Sequence, residues 1–398
     1  MAVRGRSPEP VIWACVVVLA LVTAACVSSG GASPTSTGTH HTSTPSTPTC
    51  ADSVFERLSL PQRVGQLFAL GLEGDRLGPD ERDAIRSHHV GSVWFTETTT
   101  EGASAVGAVA AAVQALATNA ATGGVGFYVA ANQEGGEIQA LRGAGFSTMP
   151  SALTQGTLEP SALQADASTW GQELSEAGVN MDFAPVMDVV PPGTDAQNQP
   201  IGVLHREFGH DPATVSSHGR AFIRGMTSAG IATTAKHFPG LGRVLGNTDD
   251  VAGVIDTVTT ATDPSLRSFR AAVHAGVPFV MVALATYTQI DATRLAVFSP
   301  AVMTLLRDGM GFDGVIASDD LGAATAVAGI PPAQRALDFL SAGGDLIVSK
   351  TAAPTVAMAD AVVARASSDP AFAAQVADAV HRVLAAKDAS GLLPCSGG

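Results

Sequence analysis

Strand-like and helix-like segments alternate along most of the chain, and this alternation constrains the fold more than any other feature of the sequence. Short apolar segments rich in β-branched residues are separated by stretches with helical spacing or helix-start residues. Eight such units within 398 residues close most simply into a (β/α)8 barrel of the TIM type, as a single catalytic domain. A doubly wound open sheet is the alternative, but the first strand lacks a G-x-G-x-x-G turn. The predicted strands are 65–71, 90–95, 126–132, 181–189, 231–238, 278–285, 314–320 and 345–349.

The N-terminal segment differs from the rest of the chain. Arg4 and Arg6 precede an apolar run that ends in small residues before Cys26, which resembles a bacterial lipoprotein signal over residues 1–25. Cys26 would then be the lipidated first residue, followed by a flexible Ser/Thr/Pro-rich tether over residues 26–49. An ordinary secretory signal or an uncleaved anchor is the alternative. Each predicts an extracytoplasmic protein, and the lipoprotein form predicts anchoring to the membrane of the cell envelope.

The remaining bulk features restrict the cofactors and partners. In an oxidising compartment Cys50 and Cys395 are expected to pair and to join the ends of the barrel domain, residues 50–398, although two free thiols are the alternative. The formal net charge of −14 and the lack of a basic stripe argue against nucleic acid. Without a Cys/His metal cluster or a phosphate-binding loop, no metal or organic cofactor is expected. A monomer is expected.

Polar side chains accumulate at the predicted carboxyl ends of the strands, which is where barrel enzymes place their active residues. Two acids beside neutral and cationic hydrogen-bond donors are the groups that glycoside hydrolysis requires. Purely structural roles are the alternative: an N-cap for Asp319 or Asp320, a backbone acceptor for Asp188 and an ion pair for Lys236. The strand ends carry residues 132–136, Asp188, Lys236 with His237, and Asp319 with Asp320.

Four of these segments together resemble glycoside hydrolase family 3. They are Gln-Glu-Gly-Gly at 133–136, Asn-Met-Asp-Phe-Ala-Pro-Val-Met-Asp-Val at 180–189, Lys-His-Phe-Pro-Gly-Leu-Gly at 236–242 and Ser-Asp-Asp-Leu at 318–321. The resemblance runs from about residue 58 to 348. It is strongest to the single-domain β-N-acetylglucosaminidases, which act on exo-linked GlcNAc in peptidoglycan fragments.

The resemblance implies a role for each matching residue. Asp319 would be the nucleophile that forms a covalent glycosyl-enzyme, which water opens with net retention. Lys236, His237 and Arg206 would hold the sugar hydroxyls. Asp188 is expected to bind substrate as well.

The chain departs from the family pattern in the loop after the Lys-His strand. This branch usually carries an Asp-Ser-His triplet there, whose His is the acid/base, and this chain has Asn247, Thr248 and Asp249. A carboxyl whose pKa is raised by burial or by Asp319 can donate a proton, so Asp249 is the acid/base candidate and Asp250 the second.

A second departure lies in the loop after strand three. The family's sugar-binding acid is replaced by Asn132, and Ala140 stands where an Arg is usual. Arg142 would substitute only if the loop were rearranged. Asn132 is still expected to bind substrate, but its hydrogen bond to a sugar hydroxyl would be weaker than that of a carboxylate.

The sequence therefore predicts a retaining exo-β-N-acetylglucosaminidase-like hydrolase whose substrate is a GlcNAc-containing muropeptide or glycan of the cell wall. Three alternatives remain open at this point. The chain is a catalytically impaired member that binds muropeptides without turnover, a β-glucosidase-type hydrolase, or a lyase or aldolase that uses Lys236 as a Schiff base.

Overall fold

A computed structural model of the protein describes residues 49–395. The predicted signal peptide, Cys26 and all but the last residue of the predicted tether lie outside the described residues. Within 49–395 no helix has the length and apolar character needed to cross a membrane.

The centre of the fold is a ring of parallel strands, as the sequence predicts. The sheet runs in the order β7-β6-β5-β4-β3-β2-β1-β8, and an isolated parallel bridge from Ala317 to Leu346 nearly closes it between β7 and β8. The (β/α)8 barrel is therefore confirmed, and each of its eight strands overlaps a predicted one. The strands are β1 Phe68–Leu72, β2 Ser92–Phe95, β3 Tyr128–Ala131, β4 Met181–Asp182, β5 Ala232–Phe238, β6 Phe279–Val282, β7 Val315–Ser318 and β8 Ile347–Ser349.

Strand β4 is much shorter than the predicted 181–189, and Pro185 gives the physical reason. Proline lacks the backbone N–H that a central strand donates to its neighbour, so regular pairing ends before it. Beyond Pro185 only an isolated bridge from Val186 to Lys236 continues along β5. The residues after β4 are thus free to turn across the top of the barrel.

Helices surround the barrel, and many of them begin with local sequence signals. Proline occupies the first turn where its missing N–H costs nothing, and Asp or Ser side chains accept hydrogen bonds from the first backbone N–H groups, as Asp211 does before Pro212. The helices are Cys50–Arg57, Leu60–Gly65, Pro79–Ser87, Ala103–Gln114, Asn119–Thr122, Ala152–Gln155, Pro160–Glu176, Pro212–Ser228, Arg267–His274, Pro300–Met310, Pro332–Ala342, Ala352–Ser368 and Pro370–Ala389.

The first and last helices bring the two ends of the described chain together. Cys50 and Cys395 form a disulfide with Cα atoms 5.9 Å apart, so the predicted pairing is confirmed. Beside it the ring of Phe55 stacks on His381 with centroids 4.0 Å apart. The bond closes a loop that contains the whole barrel.

Hydrogen bonds join two neighbouring loops at the carboxyl ends of the strands. The buried amide of Asn198, in the loop after β4, donates to the carbonyls of Leu241 and Val244 at 2.7 Å each, in the loop after β5. Its oxygen accepts from the backbone N–H of Gly202 at 2.8 Å. These bonds fix the long loop after β4 against its neighbour.

Candidate active site

A cavity of about 550 Å³ lies at the carboxyl ends of the strands. It collects side chains from seven of the eight strands, β2 to β8, or from the loops that follow them, and most of the residues predicted from the sequence line it. Its aromatic wall includes Trp94 and Phe183, whose rings meet edge to face at 5.9 Å. The predicted site residues that line it are Asn132, Arg206, Lys236, His237, Asp249 and Asp319, together with Asp250.

A buried carboxylate, Glu134, organises one wall of the cavity. Arg206 donates to both of its oxygens at 2.7 Å, and Lys236 Nζ lies 2.6 Å from Oε1. Burial alone would raise the pKa of Glu134, but the two cations outweigh it and lower the pKa to about 2. Glu134 therefore stays ionised and fixes Arg206 and Lys236.

The sequence alone indicates no separate role for Glu134. Its only signal was membership of the Gln-Glu-Gly-Gly segment at a strand end, because its partner Arg206 lies 72 positions away in the chain. Burial in a cationic environment, which gives the residue its function, is visible only in three dimensions.

Lys236 bridges Glu134 and Asn132. Its Nζ donates to the side-chain oxygen of Asn132 at 2.7 Å, and the residue is only 2% exposed although it lines the cavity. An ammonium group has three N–H donors, and Glu134 and Asn132 account for two. The third can serve a ligand hydroxyl.

Asp188 holds the side chain of His237 in place. Its carboxylate is fully buried and is absent from the cavity lining. It lies 2.8 Å from His237 Nδ1 and accepts from the backbone N–H groups of His237 and Leu241, the latter at 2.8 Å. Asp188 is thus a positioning residue that holds the imidazole, and its direct contact with substrate stays a prediction. With Nδ1 engaged by Asp188, Nε2 is the ring nitrogen of His237 that is left for a ligand.

The two acids after β7 have different surroundings. Asp320 accepts from the backbone N–H groups of Gly322 at 2.7 Å and Lys350 at 2.9 Å, so it shapes the turn and ties it to the end of β8. Asp319 accepts through one oxygen from the N–H of Asp320 at 2.9 Å and lines the cavity. Of the pair, Asp319 is the carboxylate available to a ligand.

Asp249 enters the cavity on a loop that is fastened to the segment after β7. The N–H groups of Thr325 and Ala326 donate to the carbonyls of Asp249 at 3.1 Å and Thr248 at 3.0 Å. The Asp249 side chain reaches solvent at the cavity mouth while protein crowds its other sides. This partial loss of hydration, and then the charges of Asp319 and Asp320, raise the pKa of Asp249 to about 6.

Asn247 does not orient the Asp249 carboxylate. Its side-chain oxygen accepts from the backbone N–H of Asp249 at 3.2 Å, and its nitrogen donates to the carboxylate of Asp250 at 3.0 Å. Asn247 therefore shapes the loop and engages Asp250, which leaves the Asp249 carboxyl the less restrained of the two.

Arg142 does not replace the arginine missing from the loop after β3. Its guanidinium donates to the carbonyls of Gly136 at 2.7 Å and Gln139 at 2.9 Å, across the hairpin formed by Gln133–Gly135 and Ile138–Gln139. Arg142 stabilises that hairpin and is absent from the cavity lining.

Comparison with known proteins agrees with the fold. The family model described as the glycosyl hydrolase family 3 N terminal domain matches residues 59–386. A protein of Stenotrophomonas maltophilia strain K279a named beta-hexosaminidase is 33% identical over 300 residues, which is 71% of this chain and 82% of that protein.

The fold is also similar to those of solved structures. The crystal structure of a beta-N-acetylhexosaminidase from Beutenbergia cavernae is 51% identical with a TM-score of 0.81, covering 83% of this chain and 99% of that one. The Mycobacterium tuberculosis protein LpqI is 27% identical with a TM-score of 0.75, over 85% of this chain and 96% of that one.

Proposed function

The chain belongs to glycosyl hydrolase family 3, as a glycoside hydrolase of the β-N-acetylhexosaminidase type, and we propose that it is a retaining exo-acting β-N-acetylglucosaminidase of the cell envelope. Its proposed substrates are GlcNAc glycosides derived from peptidoglycan. The observation that carries the mechanism is a pair of carboxyl groups, Asp319 and Asp249, that line one cavity. Burial first, and then the charge of Asp319, raises the pKa of Asp249 to about 6.

In the proposed reaction the two acids have separate tasks. The Asp319 carboxylate attacks the anomeric carbon and forms a glycosyl-enzyme, while the Asp249 carboxyl protonates the departing glycosidic oxygen. Asp249, now ionised, then takes a proton from the water that opens the glycosyl-enzyme, and its starting protonation state is restored. Two displacements at one carbon give net retention.

The wall around Glu134 supports the proposal that a sugar ring binds here. Lys236 retains an N–H for a hydroxyl, His237 offers Nε2, and Arg206 is held beside them by the two bonds to Glu134. Trp94 and Phe183 line the same cavity and supply an apolar surface. A polar wall and an aromatic wall together suit a sugar.

The N-terminal sequence supports the proposed location. If residues 1–25 act as a lipoprotein signal, the lipidated Cys26 and the tether hold the barrel just outside the membrane, near cell-wall glycans. The preference for an N-acetylhexosamine rests on the name of the similar Beutenbergia protein. The choice of GlcNAc rests on the resemblance of the four sequence segments to the single-domain β-N-acetylglucosaminidases.

One observation favours a second candidate function, glycan binding without turnover. Asn247 engages Asp250 rather than the Asp249 carboxyl, and Asn132 offers a neutral amide where the family resemblance implies an acid. In such a protein the cavity would bind muropeptides while the proton transfer would be lost.

The test is hydrolysis of an aryl β-N-acetylglucosaminide beside an aryl β-glucoside, with product stereochemistry followed by proton NMR. The proposal predicts β-GlcNAc as the first-formed sugar, and loss of aryl release in Asp319→Asn with an unchanged melting temperature. Release from the glucoside alone would assign a β-glucosidase. Saturable muropeptide binding without release from either substrate would assign the binding protein.

A further inference from the structure

Three metal-ligating side chains meet outside the cavity, on the loop between β4 and the helix Pro212–Ser228. One ligand atom from each of Asp195, Glu207 and His210 lies within 4.8 Å of the others. Neither the proposed reaction nor the sugar-binding wall uses any of them.

Glu207 is the unusual member of this cluster. It is 0% exposed, and neither of its carboxylate oxygens has a hydrogen-bond partner among residues 49–395. Asp195 Oδ1 is buried and unpartnered in the same part of the chain. A buried carboxylate without a donor or a positive charge is costly, so such groups are normally paired or bound to a metal.

The adjacent arginine does not neutralise Glu207. Arg206 donates through Nε and Nη2 to Glu134 and through Nη1 to the carbonyl of Pro200 at 2.7 Å. The positive charge of Arg206 is therefore paired with Glu134 in the cavity wall. Arg206 is therefore not the counter-charge of Glu207, which is left to bind a cation or to hold a proton.

His210 supplies a ring nitrogen and an open side. Its Nδ1 lies 3.5 Å from Asp195 Oδ1 and 3.3 Å from the carbonyl oxygen of Val190, a contact that a bound cation would replace, and its side chain is 35% exposed. The loop is already rigid, because Asn198 fixes it to the loop after β5. A cation can thus enter from solvent without unfolding the loop.

We propose that Asp195, Glu207 and His210 form a binding site for a divalent transition-metal cation, with Zn²⁺ as the representative ion. Two carboxylates and one imidazole suit Zn²⁺ or Mn²⁺, whereas Ca²⁺ and Mg²⁺ take oxygen ligands alone. Ligands about 2.0–2.2 Å from a metal lie at most about 4.4 Å apart, so small side-chain rotations suffice to bind. The bound cation would neutralise Glu207 and stabilise the loop that carries Arg206.

The test is a metal titration that uses no sugar. The full chain is purified without a polyhistidine tag, with His40 and His41 changed to Ser throughout, treated with a chelator and titrated with Zn²⁺ by calorimetry. The site predicts one Zn²⁺ per chain and an affinity at least about tenfold lower in Glu207→Gln and in His210→Asn. Co²⁺ in its place should give visible d–d absorption that both variants lose.

A matched control is available in the exposed pair of His88 and Asp360, whose atoms lie 2.9 Å apart. His88→Asn removes a histidine beside a carboxylate and should leave the Zn²⁺ affinity unchanged. Saturating Zn²⁺ should raise the melting temperature of the wild type and of His88→Asn, but not of the cluster variants.

Two results would overturn the site. One is that the chain binds no Zn²⁺ or Mn²⁺ ion saturably. If, in addition, Glu207→Gln raises the melting temperature, then Asp195 and Glu207 share a proton instead of binding a metal. The other is unchanged affinity in His210→Asn. That variant alters a partly exposed side chain, so it decides the question even if Glu207→Gln does not fold. Because substrate is absent, either result leaves the proposed hydrolase untouched.

Discussion

Arg206 and Glu134 form a two-point ion pair inside the wall of the cavity. Arg206 Nε lies 2.7 Å from Oε2 of Glu134, and Nη2 lies 2.7 Å from Oε1. The planar guanidinium matches the carboxylate, which fixes both position and orientation. Since Lys236 shares Oε1 at 2.6 Å, one anion sets the geometry of two cations.

Replacement of Glu134 should therefore cost stability. Glu134→Gln keeps the shape of the side chain but leaves Arg206 and Lys236 without their counter-charge. Removing one partner of a buried pair costs about 3–5 kcal/mol. We expect the free energy of unfolding, from urea denaturation at pH 7, to fall by that amount.

The control is Glu97→Gln. Glu97 is exposed and lies 3.5 Å from Lys350, so its loss should cost about 1 kcal/mol or less. Equal losses in the two variants would contradict the role assigned to Glu134.

Because the folded-state pKa of Glu134 is lowered from 4.5 to about 2, the stability that Glu134 contributes is present above pH 4.5 and is lost as the pH falls towards 2.

Asp182 should show the opposite dependence on pH. Burial raises its pKa from 3.8 to about 7, and one of its oxygens lacks a hydrogen-bond partner among residues 49–395. Between these pH values the folded chain holds a proton that the unfolded chain has released. Stability therefore falls as the pH rises from about 4 to 7.

Asp182→Asn removes this titration and keeps an oxygen to accept from the N–H of Gln133. We expect the variant to gain stability relative to the wild type as the pH is raised from 5 to 8, measured from urea denaturation at both values. A difference between the two proteins that is the same at both pH values would rule out the titration of Asp182.

The barrel could be predicted because its signals are local. Apolar segments, glycine and proline positions, and helix-start residues each lie within a few residues of one another. The cavity acids after β7 could also be placed from the sequence, because residues that directly follow a barrel strand lie at the carboxyl end of the barrel.

The roles of Asp188 and Glu134 could not be predicted because direction and distance decide them. Asp188 follows the point where Pro185 ends strand pairing, so no strand alternation indicates where its side chain lies. Glu134 depends on Arg206, which the irregular loop after β4 brings back. The ligands Asp195, Glu207 and His210 share that loop and match no fixed metal-binding spacing.

The disulfide between Cys50 and Cys395 should contribute strongly to stability. It joins residues 345 positions apart and restricts the unfolded chain. In the chain-entropy model a loop of this size is worth about 6 kcal/mol, less any strain in the folded state. Cys50→Ser should lower the urea midpoint, and a reductant should lower that of the wild type to the same value without changing the variant. A wild-type midpoint that does not respond to complete reduction would contradict this.

Asp249 should control the alkaline limb of the pH–rate profile. A general acid works only while protonated, and the pKa of Asp249 is raised to about 6. For a glycoside with a poor leaving group, kcat/KM should therefore fall as the pH rises through 6. In Asp249→Asn it should be lower by about 10²–10⁴-fold, and the limb should disappear.

Azide distinguishes a lost proton transfer from a damaged site. With an activated aryl glycoside the Asp249→Asn enzyme can still form the glycosyl-enzyme at Asp319, and azide, which needs no general base, should then accelerate turnover and yield a β-glycosyl azide. Asp250→Asn decides between the two neighbouring carboxyls, because Asp250 is engaged by Asn247 and should give no azide rescue. If the alkaline limb persists in Asp249→Asn and azide rescues Asp250→Asn instead, the proton donor is Asp250.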